Sequence, residues 1–371
     1  MGRCRLCRAS SPFISSRLGV CLDCIRRDPD LATMRTDRVH AESRVSLGLP
    51  AVVPRNKDGL PCGTCANLCL LGPGDHGYCG LVHNVEDTLL RSGGTPEKGV
   101  LEWYYDKLPT NCVSAWFCPG CTGNGYPKYS CSELGPEVGF SNLAVFYGAC
   151  GFDCLYCQNW HYRKMSAALS PVFSAEDLAA RAGRNVTCVC YFGGDPSPQM
   201  PHALETSKLA VEIASNEDRI IRICWETNGA MNEQFALGAA QLSLSSGGNV
   251  KFDLKFASEE LNRALCGVSN ESTLKNFERI GRLYSKRPEL PLISASTLLV
   301  PGYVDSIEIE RIANLIAEVD TKMPYSLLAF YPHYLMNDLP TTDRKMAMLC
   351  LESARKQGLE NVRLGNVHLL S

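Results

Sequence analysis

The chain has 371 residues, of which 45% are hydrophobic and 20% are charged, and its formal net charge is −2. This length suits one large barrel-sized domain with small additions, and the composition is typical of a soluble globular protein. No apolar run approaches the roughly 20 residues of a membrane span, and no signal-peptide pattern follows Met1. The sequence therefore argues against a membrane protein, and we predict a cytoplasmic location.

The chain contains twenty cysteines, and fifteen of them fall into four tight groups. A disulfide framework belongs to small secreted domains with little core, whereas this chain has a long β/α pattern and no export signal. Metal or iron–sulfur ligation in a reducing cytosol fits the cysteine content better. Because exposed clusters are oxidation-sensitive, we also expect an oxygen-poor, anaerobic host.

The first cysteine group lies in residues 1–30 and consists of two Cys-x2-Cys pairs. This pattern predicts a zinc-ribbon-like Cys4 module, whose four thiolates close a tetrahedron around the ion. Its predicted ligands are Cys4, Cys7, Cys21 and Cys24. Arginines crowd the same segment, and we interpret them as a solvated face rather than a nucleic-acid site. Residues 31–61 are predicted to be a linker.

Residues 62–139 are predicted to be a Cys-rich accessory region that holds the second and third groups. Both groups are rich in glycine and proline and lack a periodic apolar face, so we expect ligation to organise them. Their spacing leaves open whether each is a Cys4 zinc site or an auxiliary iron–sulfur cluster. The predicted ligands are Cys62, Cys65, Cys69 and Cys79, then Cys112, Cys118, Cys121 and Cys131.

From residue 140 to residue 371, short apolar runs alternate with helical patterns. The alternation predicts parallel strands joined by crossover helices, as in a doubly wound sheet or an incomplete barrel. In both architectures the active residues follow the carboxyl ends of the strands. The six predicted strands are Leu143–Tyr147, Val186–Phe192, Ile220–Glu226, Val250–Leu254, Leu292–Leu299 and Tyr325–Phe330.

Three cysteines with the spacing Cys-x3-Cys-x2-Cys follow the first of these strands: Cys150, Cys154 and Cys157. Such a trio suits a [4Fe–4S] cluster in which one iron has no protein ligand. The alternative is a zinc knuckle that lacks its last ligand. Polar residues and glycines after the later strands would share this edge of the sheet, and they are Gly193, Gly194, Asp195, Glu226, Asn228, Asp253, Lys255 and His333.

In their order along residues 140–371, these motifs resemble the radical S-adenosylmethionine (radical SAM) proteins of the pyruvate formate-lyase activating enzyme type. The resemblance is nearest to the branch named AmmeMemoRadiSam, and it extends loosely to the second cysteine group. The matching motifs are Tyr147-Gly-Ala-Cys150, Cys157-Gln-Asn-Trp160, Phe192-Gly-Gly-Asp-Pro-Ser-Pro198, Thr227-Asn-Gly229, Phe252-Asp-Leu-Lys255, Val300-Pro-Gly302 and Leu364-Gly-Asn-Val367.

The resemblance implies an α/β fold with a partial (β/α)6 TIM-like barrel over residues 140–371, the radical SAM core. It implies that the open iron binds S-adenosylmethionine, which is cleaved reductively to a 5′-deoxyadenosyl radical. That radical would abstract hydrogen from an unidentified substrate. The electron would come from a donor such as ferredoxin or flavodoxin.

The resemblance also implies a binding site for S-adenosylmethionine along the strand ends. Backbone groups beside Gly193 and Gly194 would receive its ammonium group, and Asp195 stands where the family usually has Glu. Asp253 and Lys255 match an Asp-x-Lys motif that contacts the methionine and ribose portions.

Four further residues complete the predicted site. Glu226 and Asn228 offer acceptors for the ammonium group or the ribose hydroxyls. Tyr156 precedes the last cysteine of the signature, and His333 roughly matches a late histidine of activating enzymes. Five cysteines without ligand spacing are predicted to pack in the core, and they are Cys188, Cys190, Cys224, Cys266 and Cys350.

Two kinds of substrate remain open for such an enzyme. One is a backbone glycine of a partner protein, as in activating enzymes, and the other is a side chain or a small molecule. The first and third cysteine groups depart from the family pattern, so they could also form a docking surface for a protein. The competing function is a non-catalytic multi-zinc binding or adaptor protein on a degenerate barrel.

Overall fold

The computed structural model describes residues 1–110 and 112–371. The N-terminal segment consists of two paired two-residue strands and two helices: β1 (Gly2–Arg3), β2 (Ser10–Ser11), α1 (Leu22–Arg27) and α2 (Pro29–Val45). Helix α2 begins where the Asp28 side chain accepts a hydrogen bond from the N–H of Leu31, which is a usual helix cap. The predicted linker 31–61 is therefore helical over its first half.

The buried face of α2 explains why the sequence did not indicate this helix. Four of its six buried residues are polar or charged, so the apolar periodicity that reveals a helix is weak. The buried residues are Ala32, Thr36, Val39, His40, Ser43 and Arg44.

Residues 60–139 contain two hairpins, a long strand and a one-turn helix, so the first hairpin begins before the predicted accessory region. The hairpins pair β3 (Leu60–Pro61) with β4 (Leu70–Leu71) and β5 (Val82–Val85) with β6 (Thr88–Arg91), and the others are β7 (Gly99–Lys107) and α3 (Pro119–Thr122). Strand β7 pairs antiparallel with the first strand of the predicted barrel, Leu101 opposite Tyr147. The predicted boundary at residue 140 thus falls between two paired strands.

The central sheet has nine strands among the described residues, in the order β15-β14-β13-β12-β11-β10-β8-β7-β9. Seven of them are parallel to their neighbours. The α/β class with a partial barrel is confirmed, and each of the six predicted strands is present. The remaining strands are β8 (Ser141–Tyr147), β9 (Val172–Phe173), β10 (Val186–Gly193), β11 (Arg222–Thr227), β12 (Val250–Asp253), β13 (Ile293–Leu299), β14 (Tyr325–Ala329) and β15 (Val362–Gly365).

Strand β15 is the one parallel strand that was not predicted, because it has four residues and includes Arg363 and Gly365. Eight helices connect or follow the strands, and the Ser174 side chain caps α5 by accepting from the N–H of Asp177 at 3.0 Å. They are α4 (Tyr162–Ala168), α5 (Ala175–Ala179), α6 (Met200–Asn216), α7 (Glu233–Ser246), α8 (Glu259–Cys266), α9 (Glu271–Gly281), α10 (Ser306–Val319) and α11 (Arg344–Lys356).

The N-terminal module packs against the loop after β13. A Cβ atom at Gly302 would lie 2.1 Å from the carbonyl oxygen of Phe13, and Gly302 has φ +80°, so glycine is required for this contact. Arg26 forms two hydrogen bonds with the carboxylate of Asp305, at 2.7 and 2.8 Å. The motif that ends at Gly302 therefore serves docking. Among the described residues, no helix combines the length and apolar character that crossing a membrane requires.

Candidate active site

One cavity of about 390 Å³ lies at the carboxyl ends of the parallel strands. Twelve residues outside the accessory cysteine groups were predicted to form the site, and eleven of them line this cavity. The rule that active residues follow the strand ends therefore identified positions that are far apart in the sequence. They are Cys150, Cys154, Tyr156, Cys157, Gly193, Gly194, Asp195, Glu226, Asn228, Asp253 and Lys255. His333 is half-buried and does not line this cavity.

The loop after β8 places three thiols on one wall of the cavity. The N–H of Phe152 donates to Cys150 Sγ at 3.3 Å, and Asn228 Nδ2 donates to the same sulfur at 3.6 Å. Burial raises the pKa of the Cys150 and Cys157 thiols, so binding a cluster would displace their protons. Three sulfur donors facing one cavity fit a [4Fe–4S] cluster with one iron left for another ligand.

A buried carboxylate holds this loop in place. Asp153 Oδ1 accepts a hydrogen bond from Arg163 at 2.8 Å, and its Oδ2 lies 2.9 Å from His40 Nδ1 on α2. Arg44, also on α2, lies 3.9 Å from Asp153. Burial would raise the pKa of Asp153, but the hydrogen bond with His40 and the charge of Arg163 hold it well below its usual range. The residue between two predicted cluster ligands is therefore a structural anchor.

Cys266 lies directly behind the same loop. Its Sγ is 3.4 Å from Cys154 Sγ and 3.5 Å from the Tyr156 hydroxyl, and it does not line the cavity. The hydrogen bond with Cys266 lowers the pKa of Cys154. The predicted core role of Cys266 agrees with its full burial, but no pattern in the sequence indicates its contact with Cys154, a predicted cluster ligand.

Two glycines shape the wall opposite the thiols. A Cβ atom at Gly194 would lie 2.2 Å from the carbonyl oxygen of Ala149, so no other residue allows this turn to approach the cysteine loop. The N–H groups of Gly194 and Asp195 bond to Tyr147 O and Ala149 O, at 2.9 and 2.7 Å. This leaves carbonyl oxygens on the turn, which are the groups that accept from an ammonium ion.

The Asp195 carboxylate bonds within the protein. One oxygen accepts from the N–H of Ser197 at 2.8 Å, and the other accepts from the N–H of Asn228 at 2.7 Å. The Thr227 hydroxyl lies within 3.2 Å of both oxygens. Burial raises the pKa of Asp195, and these hydrogen bonds oppose the shift. The side chain thus positions the loop after β11 and also lines the cavity, and its ligand-binding role stays a prediction.

Four alternating charges cross the floor of the cavity, on β11, on β12 and in the loop directly after β12. Lys251 Nζ lies 3.1 Å from Glu226 Oε2 and 2.7 Å from Asp253 Oδ1, and Lys255 Nζ lies 3.0 Å from Asp253 Oδ2. Ser296 donates to Asp253 at 2.7 Å. Burial would raise the pKa of Asp253, but Lys251 and Lys255 hold it far below its usual range.

Lys251 and Ser296 were not predicted as site residues. Both line the cavity, and Lys251 stands two residues before Asp253 on the same strand. Because alternate residues of a strand share a face, this spacing was the signal that could have revealed Lys251. Ser296 is opposite Asp253 in the register of β12 and β13, which the sequence does not give.

The accessory cysteine groups differ in how closely they gather. The sulfur atoms of the first group all lie within 4.8 Å of one another, which no other set of three or more such ligands achieves among residues 1–110 and 112–371. The second group, Cys62, Cys65, Cys69 and Cys79, lines one small cavity. Its loop packs on the cluster loop, where Asn67 donates to the Gly151 carbonyl at 2.7 Å.

The third group does not converge as predicted. Cys118 contacts Cys121, whereas the Cys112 thiol donates to Glu226 Oε1 at 3.0 Å. Cys131 is exposed, and its N–H donates to Glu137 at 2.8 Å. The physical reason is that Cys112 is held by Glu226 on β11, whereas Cys131 lies beyond the end of α3 at Thr122 and is held by Glu137.

Comparisons with known proteins agree with this site. Residues 144–316 match the family model described as the Radical SAM superfamily. The uncharacterized protein MJ0808 of Methanocaldococcus jannaschii is 23% identical over 313 residues, which cover 82% of this chain and 81% of that protein.

Two solved structures are similar in fold. Streptococcus suis SuiB bound to S-adenosylmethionine aligns with a TM-score of 0.47 and 14% identity, over 62% of this chain and only 52% of that one. A domain of pyruvate-formate lyase-activating enzyme from Bacteroides vulgatus aligns with a TM-score of 0.35 and 18% identity, over 48% of this chain and 98% of that domain. Likenesses this distant carry no information about substrate.

Proposed function

We propose, on the premise that residues 144–316 are a radical SAM domain, that this chain cleaves S-adenosylmethionine reductively and uses the resulting 5′-deoxyadenosyl radical to abstract hydrogen from a substrate. The observation that carries the proposal is the single cavity lined by Cys150, Cys154 and Cys157 together with the strand-end residues. A [4Fe–4S] cluster bound by these cysteines would supply the electron that breaks a carbon–sulfur bond.

The residues around the cavity have separate roles in this proposal. The carbonyl oxygens of the Gly193–Gly194 turn accept hydrogen bonds from the ammonium group. Lys255 pairs with the carboxylate of the methionine portion, and Asp253, which stays ionised, accepts from the ribose hydroxyls.

The direct test is anaerobic reconstitution with iron and sulfide, followed by dithionite and S-adenosylmethionine. We expect 5′-deoxyadenosine, with methionine in equal amount. The control is Cys154→Ala, which should reduce the product at least about 100-fold because one cluster ligand is missing. Product formation by the wild-type protein no greater than by this control would disprove the proposal.

We further propose a protein or peptide substrate, as in the activating enzymes. A second cleft adjoins the first, because Asn159 and Phe192 line both. Aromatic residues dominate its walls, including Trp103, Tyr104 and Phe146. Tyr104 is 50% exposed, and exposed aromatic surface next to a reaction centre favours a large ligand.

Fractionated extracts of the source organism distinguish the two kinds of substrate. A protein substrate with a reactive glycine should give a doublet in electron paramagnetic resonance on a polypeptide, with the protein fraction alone. Tyr104→Ala should weaken this signal and leave 5′-deoxyadenosine formation without substrate unchanged. If only the low-molecular-mass fraction stimulates turnover, the substrate is a small molecule and the activating-enzyme assignment fails.

The N-terminal module is proposed to hold zinc. Cys4 Sγ lies 3.7 Å from Cys24 Sγ, and Cys7 Sγ lies 3.7 Å from Cys21 Sγ. A tetrahedron with zinc–sulfur bonds of about 2.3 Å has edges of about 3.8 Å, so these separations suit a single zinc ion. We also propose ferredoxin or flavodoxin as electron donor and a cytoplasmic location. The complete strand-end site argues against a non-catalytic adaptor.

A further inference from the structure

A second cavity inside the sheet is lined by five cysteines and has a volume of about 50 Å³. A water molecule needs roughly 10–15 Å³ measured in this way, so the cavity is a real void within a fold that is otherwise closely packed. Glu226 lines both this cavity and the active-site cavity, which places the two next to each other. The five cysteines are Cys112, Cys118, Cys188, Cys190 and Cys224.

Strand geometry places three of these thiols on one wall. Cys188 and Cys190 alternate on β10, so their side chains point to the same side of the sheet. Cys224 on β11 is paired with Cys190 in the parallel register. The opposite wall comes from Thr110 and from residues between 112 and 120, where Cys112 lies beside Glu226 and Cys118 precedes α3.

Core packing, the role predicted for the three strand cysteines, does not account for this arrangement. Buried cysteines usually fill space as small apolar residues, and interiors have few voids larger than a water molecule. Here thiols from two adjacent strands and from a separate loop surround a void. Burial is high, with Cys188 and Cys190 at 9% and 7% exposure, so the thiols do not serve as a solvent-exposed reactive site.

We propose that Cys112, Cys188, Cys190 and Cys224 hold a second iron–sulfur cluster. Cys118, the fifth thiol of the cavity, is not included among the ligands because it is hydrogen-bonded to Cys121. This site was not anticipated by the grouping of cysteines along the sequence, and it does not depend on the proposed cleavage of S-adenosylmethionine.

The distances favour a cluster over a single metal ion. Residues two apart on a strand are separated by about 6.6 Å along it, whereas the sulfur ligands of one zinc ion lie about 3.8 Å apart. Three sulfur atoms within 4.8 Å are found only at Cys4, Cys7, Cys21 and Cys24 in the described chain. No three thiols of this cavity gather that closely, so they do not suit a single zinc ion.

The site also has the surroundings that a buried cluster needs. Arg222 lines the cavity and is itself anchored by Glu137 at 2.7 Å, and the N–H of Ser114 already donates to Cys112 Sγ at 3.3 Å. A cation and a backbone donor stabilise thiolate sulfur and bridging sulfide in a dry environment.

The test counts iron and acid-labile sulfide in a background that lacks the first cluster. The background is the full chain with Cys150→Ala, Cys154→Ala and Cys157→Ala. When Cys190→Ser and Cys224→Ser are added to this background, we expect the chain to lose about four irons and an equal amount of sulfide relative to the background alone. The matched control is Cys350→Ser, which removes a fully buried thiol that lines neither cavity.

Unchanged iron after Cys190→Ser with Cys224→Ser would overturn the proposal, and so would loss of zinc without sulfide. Because these variants could fail to fold, the wild-type protein provides an independent measurement. Crystals of anaerobically purified protein should show an anomalous scattering peak at the iron edge between β10, β11 and residues 112–118. Absence of iron there, with iron present at Cys150, Cys154 and Cys157, would disprove the second cluster and leave the first intact.

Discussion

The N-terminal cysteine module and the loop after β8 gather their sulfur atoms in different ways. In the module, Cys4, Cys7, Cys21 and Cys24 converge within 4.8 Å through local turns of one short segment. In the loop, Cys150, Cys154 and Cys157 line a cavity and depend on distant residues for their position. The first arrangement suits one ion, and the second suits a cluster with an exchangeable position.

The comparison shows that sequence spacing and three-dimensional spacing carry different information. Both regions have short cysteine repeats, and both were recognised from them. The helices and strands that pack against each segment determine whether its sulfur atoms lie close enough to bind one metal ion. Four predictions would break or sharpen the distinction.

The largest expected effect is that a substitution in the N-terminal module removes its proposed zinc without affecting the iron proposed for the loop after β8. Cys4→Ala should remove the zinc proposed for the module and leave iron and sulfide unchanged, because the two regions share no ligand. Metal analysis of the anaerobically purified variant measures this, with Cys350→Ala as the control. If iron falls together with zinc, the two regions are not independent in assembly.

The second prediction concerns the anchor of the loop. Asp153→Asn leaves the buried Arg163 and Arg44 without their carboxylate, which should lower the free energy of unfolding by about 3–5 kcal/mol. Chemical denaturation measures the change. Glu42→Gln, which removes the exposed partner of Arg38 on the same helix as His40, should change the free energy of unfolding far less.

The pH dependence of this anchor has a definite sign. The pKa of Asp153 is lower in the folded protein than in the unfolded chain. Its stabilising contribution is therefore complete above the unfolded pKa of about 3.9 and is lost as the pH falls through the folded value. The free energy of unfolding of Asp153→Asn and that of the wild type should converge only in that acidic range.

The third prediction addresses the charge network on the cavity floor. Lys251→Met leaves Glu226 and Asp253 without the cation between them, so the two carboxylates repel each other. We expect the KM for S-adenosylmethionine to rise about 10-fold, which corresponds to about 1.4 kcal/mol. Lys275→Met, on an exposed pair with Glu271, should leave the KM unchanged, and an equal KM in both variants would contradict the role of Lys251.

The smallest effect is expected at Cys266. Its sulfur contacts Cys154 from behind and does not line the active-site cavity. Cys266→Ser should therefore keep the iron content and change the rate of 5′-deoxyadenosine formation less than about threefold. Loss of a full cluster in this variant would show that Cys266 is a ligand, and the open iron of the proposal would not exist.

The parallel strands and the strand-end site could be predicted from the sequence because each depends on short-range patterns. Apolar runs separated by helical periods define the strands, and the residue after each strand must lie at one edge. Contacts between segments could not be predicted this way. The pairing of β7 with β8 and the polar buried face of α2 leave no periodic signal.

The cysteines show the same limit most clearly. Cys188 and Cys224 do not have the sequence spacing of metal ligands, yet the pairing of β10 with β11 places both of them in the wall of one cavity. Cys131 has suitable spacing, yet it is exposed and apart from Cys112. The spacing of cysteines along the sequence can reveal a metal site when one segment supplies all the ligands. It cannot reveal a site whose cysteines are brought together by the pairing of strands.

The contact of α2 with Asp153 also determines how the protein can be shortened. A fragment that starts at residue 140 would retain every cysteine of the signature, but it would lose His40 and Arg44. The anchor would then keep Arg163 as its remaining cation. The smallest functional unit of this protein is thus expected to include α2, which ends at Val45, long before β8 begins at Ser141.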